Sequence, residues 1–230
     1  MIVLVHKPVA QKTKNNLLTI FFLKLIATIK AIKKQTTTAY LLFFIISACL
    51  LVIYNKETLH LLTNKFHTRF LDLFFKYATY LGDGVMFGVL AVLFFFIKRK
   101  MTLVFAISGF LTLLITFVFK KLIFKGVPRP ASIFGVDNLH LIDGVKMAFW
   151  NSFPSGHTTT AFAIFTILCL YFNKCASQYL WLSLAIIAGL SRVYLSQHFL
   201  MDVFVGSGIG VLIGLVSMSL FQDAVIRKIH

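Results

Sequence analysis

The chain has 230 residues, 59% of them hydrophobic and 13% charged, with a mean hydropathy of +0.88 and a formal net charge of +16. A charged share at about half the usual value excludes an ordinary water-soluble globule and points to a membrane protein. The positive balance does not signal nucleic acid, because many lysines flank apolar segments, where they anchor helices at a cytoplasmic surface and attract anionic headgroups.

In chain order, the opening "MIVLVHKPVAQKTKNN" does not read as a secretory signal, since its apolar run precedes the lysines and no cleavage site follows. The stretch from Leu17 to Lys34 is interrupted by Lys24, Lys30, Lys33 and Lys34. That spacing predicts an amphipathic helix lying on the inner leaflet. Apolar segments follow at Ala39–Tyr54, Gly84–Ile97, Met101–Phe119, Thr158–Phe172, Gln178–Leu190 and Val203–Phe221. A span needs roughly 17–25 residues, so the shorter of these six must extend into flanking polar positions. Between the first two, Leu59, Leu62, Phe66, Phe70 and Phe74 recur at helical spacing among charged residues and predict a second interfacial helix. Cys49, Cys169 and Cys175 have neither pairable spacing nor a CxxC pattern, so no disulfide framework or metal site is expected.

Lysine and arginine bias orients the bundle. With a cytoplasmic N-terminus, the basic leader, Lys98, Arg99, Lys100, Lys174, Arg227 and Lys228 all fall inside.

Six alternating crossings bring three polar stretches to one surface. They are "KKLIFKGVPRP" (120–130), "PSGH" (154–157) and "SRVYLSQHFLMD" (191–202). Lys121, Arg129 and Arg192 supply positive charge there, and ionisable groups at a membrane edge are costly unless they function. Arginine presents a planar fork to phosphate oxygens, and lysine a point charge. The helix starting at PSGH offers unpaired N–H groups to an anion. Gly156 permits close approach and Ser155 offers a hydroxyl. His198 and Asp202 are four residues apart and share a helix face, so the carboxylate can fix the imidazole tautomer and leave the other nitrogen to attack. His157 can protonate a leaving oxygen. Each feature alone has a bland reading: an interfacial histidine, lysine anchors, a proline-led helix start. In order and on one face they describe phosphoryl transfer, with cations in place of a metal stabilising the charge.

These residues resemble the type 2 phosphatidic acid phosphatase (PAP2) superfamily, whose signature reads K-x6-RP, PSGH and SR-x5-H-x3-D. The resemblance runs from about Met101 to Phe221. It implies a nucleophilic His198 that forms a phosphohistidine, Asp202 as its partner and His157 as general acid. Arg129 and Arg192 would hold phosphoryl oxygens, supported by Ser155 and Gly156. The first motif departs from the pattern: six-residue spacing lands on Leu122, whereas Lys121 leaves seven intervening residues. Lys121 is the expected phosphate ligand if "FKGVP" loops out, with Lys120 and Lys125 as substitutes. The implied fold is all-α, a six-span helix bundle with interfacial helices. Residues 1–38 would form a basic cytoplasmic segment, 39–222 the catalytic domain and 223–230 a short tail.

The resemblance further implies no cofactor, a site on the periplasmic side of a bacterial inner membrane, and a lipid phosphate or pyrophosphate as substrate. Lipid A, undecaprenyl pyrophosphate, phosphatidylglycerophosphate and phosphatidate are the classes to consider. Phosphoryl transfer to a lipid acceptor and a catalytically idle scaffold or transporter are the alternatives. A soluble haloperoxidase holding vanadate in a related cradle is disfavoured by the spans.

Overall fold

A computed structural model describes residues 17–221; the predicted tail at 223–230 and the first sixteen residues of the basic leader lie outside the described residues. Among the described residues all regular structure is helical, with one antiparallel bridge between Pro128 and Trp150.

Helix α1 (Leu17–Lys30) ends before α2 (Lys34–Ile53), so the expected interfacial stretch is helical and its last lysine begins the next helix. The second interfacial helix is two helices, α3 (Lys56–Lys65) and α4 (Arg69–Ala78). The apolar spacing continues through residues 66–68, but capping overrides it. Asn55 accepts from the Thr58 N–H at the start of α3, and Thr68 accepts from the Leu71 N–H to start α4 afresh. A 3-10 turn (Thr79–Gly82) leads from α4 into α5 (Val85–Ile97), and the two arms meet at a 61° bend.

Helix α6 (Arg99–Phe117) runs on into a π-helical turn, Val118–Ile123. After the short α7 (Pro130–Phe134) come α8 (Gly156–Tyr171), α9 (Cys175–Tyr194) and α10 (Leu200–Leu220). Each of the six predicted apolar segments falls largely within one of α2, α5, α6 with its extension, α8, α9 and α10. Among the described residues three helices qualify, by length and composition, to cross a membrane: α2, α6 with its extension and α10. The bent α4–α5 pair makes four if counted as one span, and α8 is a shorter apolar helix.

Helix α8 is the axis of the bundle. Every residue from Thr158 to Leu170 is buried, including a run of three threonines whose hydroxyls therefore need partners. Two of their hydroxyls are met inside the protein: Thr158 Oγ1 donates to Ser155 Oγ at 2.8 Å and Thr159 Oγ1 to the Ser155 carbonyl at 2.9 Å, while further along Thr166 Oγ1 lies 3.2 Å from Tyr40 Oη. Helix α10 packs along α8 through Gly206, Gly210 and Gly214, spaced four apart on one face. A Cβ on Gly210 would stand 2.5 Å from the Thr159 carbonyl oxygen, so only glycine admits this approach. The outer faces of α2 and α5 are apolar and exposed, with Ile45, Ile46, Val52, Phe95 and Phe96 among the exposed side chains.

The two ends of the bundle differ. At one, the Lys33 N–H donates to Gln178 Oε1 at 2.9 Å, and the Lys98 ammonium sits 5.5 Å from the centre of the Tyr171 ring. At the other end the π-turn, the starts of α8 and α10, and the end of α9 meet.

Candidate active site

The starts of α8 and α10 are joined main chain to main chain, the Ser155 N–H donating to the Asp202 carbonyl at 3.0 Å. This bond brings the PSGH stretch against the last of the three polar stretches. A Cβ on Gly206 would come 2.8 Å from the Ser155 carbonyl oxygen, so α10 also needs a glycine one turn further on.

His198 is 2% exposed, in the turn between α9 and α10. Its Nδ1 lies 3.1 Å from Asp202 Oδ2. The same carboxylate oxygen accepts the Phe199 N–H at 3.1 Å and a short hydrogen bond from Ser152 Oγ. With Nδ1 held on this side, Nε2 is the nitrogen available to a reacting group. Burial, with the positive charges of Arg129, Lys120 and Arg192 around it, pushes the imidazole well below its ordinary range and favours its neutral form.

Arg129 is fixed by the chain around it. Its N–H donates to the Phe149 carbonyl at 2.8 Å, and Nε to the Trp150 carbonyl at 3.0 Å. Nη1 donates to the Gln197 carbonyl at 3.0 Å and to Gln197 Oε1 at 3.3 Å. Nη2 takes no part in these bonds. Burial lowers the guanidinium from its usual value, opposed by the Asp202 carboxylate. Arg192 is 7% exposed, and its Nη1 donates to Thr79 Oγ1 at 2.5 Å. Its Nε is buried without a hydrogen-bond partner. A buried guanidinium N–H left unpaired is expensive, which is the condition an incoming anion would relieve.

His157 opens α8 within electrostatic reach of Arg192, Lys120 and Arg129. The turn before α5 presses on it, since a Cβ on Gly82 would meet the His157 carbonyl oxygen at 2.5 Å. Ser155 is buried and caps α8, its Oγ accepting from Thr158 Oγ1 at 2.8 Å and from the Thr158 N–H at 3.4 Å. Its own proton is not used in those bonds. Gly156 follows as the first helical residue, with only Thr116 Cγ2 near its would-be Cβ, at 4.0 Å.

The lysine is the point at which geometry departs from spacing. Lys120 is within electrostatic reach of Arg129, Asp202 and Arg192, whereas Lys121 and Lys125 are exposed. The reason is the π-turn, which takes more residues per turn and rotates the end of α6. The extra residues between lysine and Arg129 are therefore taken up partly inside the helix, not by a loop at "FKGVP" alone.

Three side chains in this cluster escaped the sequence: Ser152, Gln197 and Thr79. Ser152 stands two residues before Pro154 and Gln197 directly before His198, so both were adjacent to recognised motifs. Thr79 had no local signal. Among the described residues no group of three or more His, Cys, Asp or Glu side chains is arranged to hold a metal ion.

The segment 135–149 lies beside the site. The His140 N–H and carbonyl pair with the Asn64 side chain at 2.9 and 3.0 Å, and His140 Nε2 lies 3.0 Å from Asp72 Oδ1. Gln197 Nε2 donates to the Lys146 carbonyl at 3.3 Å, so this segment also touches the turn that carries His198.

Comparison with known proteins bears on this arrangement. A family model described as the PAP2 superfamily matches residues 98–226. The crystal structure of Aquifex aeolicus LpxE is similar at a TM-score of 0.62 and 30% identity, covering 70% of this chain and 93% of that one. The crystal structure of the first transmembrane PAP2-type phosphatidylglycerolphosphate phosphatase from Bacillus subtilis has the same TM-score at 22% identity, covering 84% and 98%. At that identity the second likeness concerns the fold alone. The lipid A 1-phosphatase of Porphyromonas gingivalis is 38% identical over 66 residues, 28% of this chain and 15% of that protein. The bacitracin transport permease protein BcrC of Bacillus licheniformis is 42% identical over 62 residues, 27% of this chain and 30% of that one. The matches to these two curated relatives thus span less than a third of the relatives' own length.

Proposed function

Because this chain belongs to the PAP2 superfamily, which has membrane lipid phosphatases among its members, we propose that it is itself a lipid phosphatase that works through a phosphohistidine at His198. The observation that carries the reading is a buried, neutral imidazole, held at Nδ1 by Asp202 and surrounded by Lys120, Arg129 and Arg192.

In the first step the Nε2 lone pair of His198 forms the N–P bond. The bond from phosphorus to the leaving oxygen breaks with its electron pair on that oxygen, and His157 protonates it. The imidazole becomes cationic as it is phosphorylated, and Asp202 stabilises it through Nδ1–H. Charge on the equatorial oxygens falls to Arg129, Arg192 and Lys120, which takes the place expected of Lys121, and to the first amides of α8 at Gly156 and His157. The Ser155 hydroxyl adds a donor. In the second step His157 takes a proton from water, water oxygen bonds to phosphorus, and the N–P pair returns to Nε2.

The substrate class follows from the surroundings. The apolar outer faces of α2 and α5 fit a bilayer, and a lipid whose tail remains there would present its phosphate at the end of the bundle. A phosphate monoester or pyrophosphate of an envelope lipid suits this geometry, with lipid A, undecaprenyl pyrophosphate and glycerophospholipid phosphates as candidates. The reading includes six crossings across 39–222, with α5, α8 and α9 as the shorter or less apolar ones. It places the N-terminus in the cytoplasm and the site on the periplasmic side of an inner membrane.

The B. licheniformis relative is a bacitracin transport permease protein by name, which suggests transport as a second reading. Lipid mass spectrometry of a strain carrying His198→Ala against wild type separates the two. Accumulation of one lipid phosphate, with loss of phosphate release by the purified variant, is expected. Unchanged lipids and no phosphate release by the wild-type protein across the four lipid classes would overturn the enzyme reading.

A further inference from the structure

We infer that Ser152 is a positioning residue for the His198–Asp202 pair, its hydroxyl sharing the carboxylate oxygen that orients the nucleophile. The inference rests on the phosphatase reading of the site and adds a residue outside its three motifs. Ser152 is fully buried. Its Oγ donates to Asp202 Oδ2 and lies 3.3 Å from His198 Nδ1, so serine, aspartate and histidine close a triangle. With the Phe199 N–H, three donors converge on one carboxylate oxygen.

The backbone delivers Ser152 to this place through a left-handed residue, a conformation that asparagine adopts more readily than most. Asn151 has φ of 56°, in the left-handed region that non-glycine residues seldom adopt. Its Oδ1 accepts the Gly126 N–H at 3.1 Å, and the Ser152 N–H donates to the Val127 carbonyl at 3.0 Å. Those bonds also tie Ser152 to the strand-like stretch that carries Arg129.

A hydrogen bond donated to a carboxylate spreads its negative charge and makes it a weaker base. Ser152 therefore keeps the shared proton on His198 Nδ1 and limits how strongly Asp202 favours the imidazolium over the neutral ring. The charged and titratable groups facing His198 are Arg129, Lys120, Arg192, His157 and Asp202. Four of them oppose protonation when charged, and Asp202 alone favours it. Removing the serine hydroxyl strengthens the one attraction against that set, so the nucleophile should be lost to protonation at a higher pH.

The test uses purified full-length protein, dioctanoyl phosphatidate as the turnover probe and orthovanadate as a phosphoryl mimic that needs no knowledge of the lipid. For Ser152→Ala, kcat is expected to fall about 10- to 100-fold, and the acid limb of the kcat/KM profile to move upward by half a pH unit or more. The pH at which vanadate affinity falls should move in the same direction. Ser152→Thr, which keeps the hydroxyl, should restore the limb to its wild-type position. An unmoved limb and an unmoved vanadate profile in Ser152→Ala, with or without loss of rate, would overturn the inference, as would threonine and alanine behaving alike. His198→Ala distinguishes the underlying reading: if that variant still releases phosphate and binds vanadate as wild type does, the phosphohistidine mechanism fails, whatever Ser152 does.

Discussion

Lys120 and Arg129 come within electrostatic reach of one another although eight residues lie between them, and the π-turn at the end of α6 is what aims the lysine. Lys121, one position on, is exposed. Lys120→Ala should therefore lower kcat/KM by about 100-fold or more, the usual cost of removing one charge-stabilising donor. Lys121→Ala should stay within about twofold of wild type. Phosphate release by the two variants, assayed side by side, checks this, and the reverse ranking would return Lys121 to the cradle.

The α8–α10 contact predicts a contrast between neighbouring glycines. Gly206→Ala drives a methyl to 2.8 Å from the Ser155 carbonyl oxygen, while Gly208→Ala meets nothing nearer than Phe44 Cε1 at 4.0 Å. Overpacking of this kind costs about 1–3 kcal/mol. Thermal unfolding in detergent should show a lowered Tm and reduced activity for Gly206→Ala only, because the displaced atom belongs to the residue that caps α8.

The pH dependence of turnover follows from His198. Burial and neighbouring cations hold its pKa well below 6.5, so the attacking nitrogen remains unprotonated as pH falls through 6.5. The acid limb of kcat/KM attributable to the nucleophile should lie below pH 6.5, as a rate profile on dioctanoyl phosphatidate would reveal. A limb above pH 6.5 that disappears in a variant with the cradle weakened, such as Lys120→Gln, would contradict this assignment.

His60 predicts a pH effect on stability instead of rate. It is buried in α3, and burial lowers its pKa to about 4; Nε2 is 3.2 Å from Ser196 Oγ in the turn that carries His198. A folded pKa below the unfolded value means that the unfolded chain binds the proton first as pH falls. The contribution is intact above about pH 6.5 and is lost progressively toward pH 4. From about 1.4 kcal/mol per pKa unit, it amounts to roughly 3 kcal/mol across that window. His60→Gln should flatten the decline of Tm between pH 7 and pH 4.5; an equally steep decline in the variant would place the titrating group elsewhere.

Much of the site was legible in the sequence because its chemistry is written in short runs. PSGH lies at one helix start, and S-R-x5-H-x3-D runs from the end of α9 through one turn into the first turn of α10, so two short stretches carry most of the cluster. Arg129 was legible for the same reason. The choice of Lys120 over Lys121 was not, because it depends on how many residues the last turn of α6 contains, and a π-turn leaves no mark in apolar periodicity. Ser152 and Thr79 were hidden by distance, since Thr79 reaches Arg192 across 113 positions and Ser152 reaches Asp202 across 50. In the fold, α3 and α4 were merged because Phe66 and Phe70 continue the apolar rhythm through a break that only the Thr68 cap reveals.

Helix α8 lies inside its own bundle from Thr158 to Leu170, and this insulates the reactive end from the lipid. Hydrophobic mismatch acts on helices that face acyl chains, tilting or stretching them as the bilayer thickens or thins. On the proposed six-crossing reading that load falls on α2, α5, α6 and the outward side of α10, while the helix carrying His157 is surrounded by its protein neighbours. Changing lipid chain length should therefore alter how the substrate reaches the site long before it alters the alignment of His157 with His198.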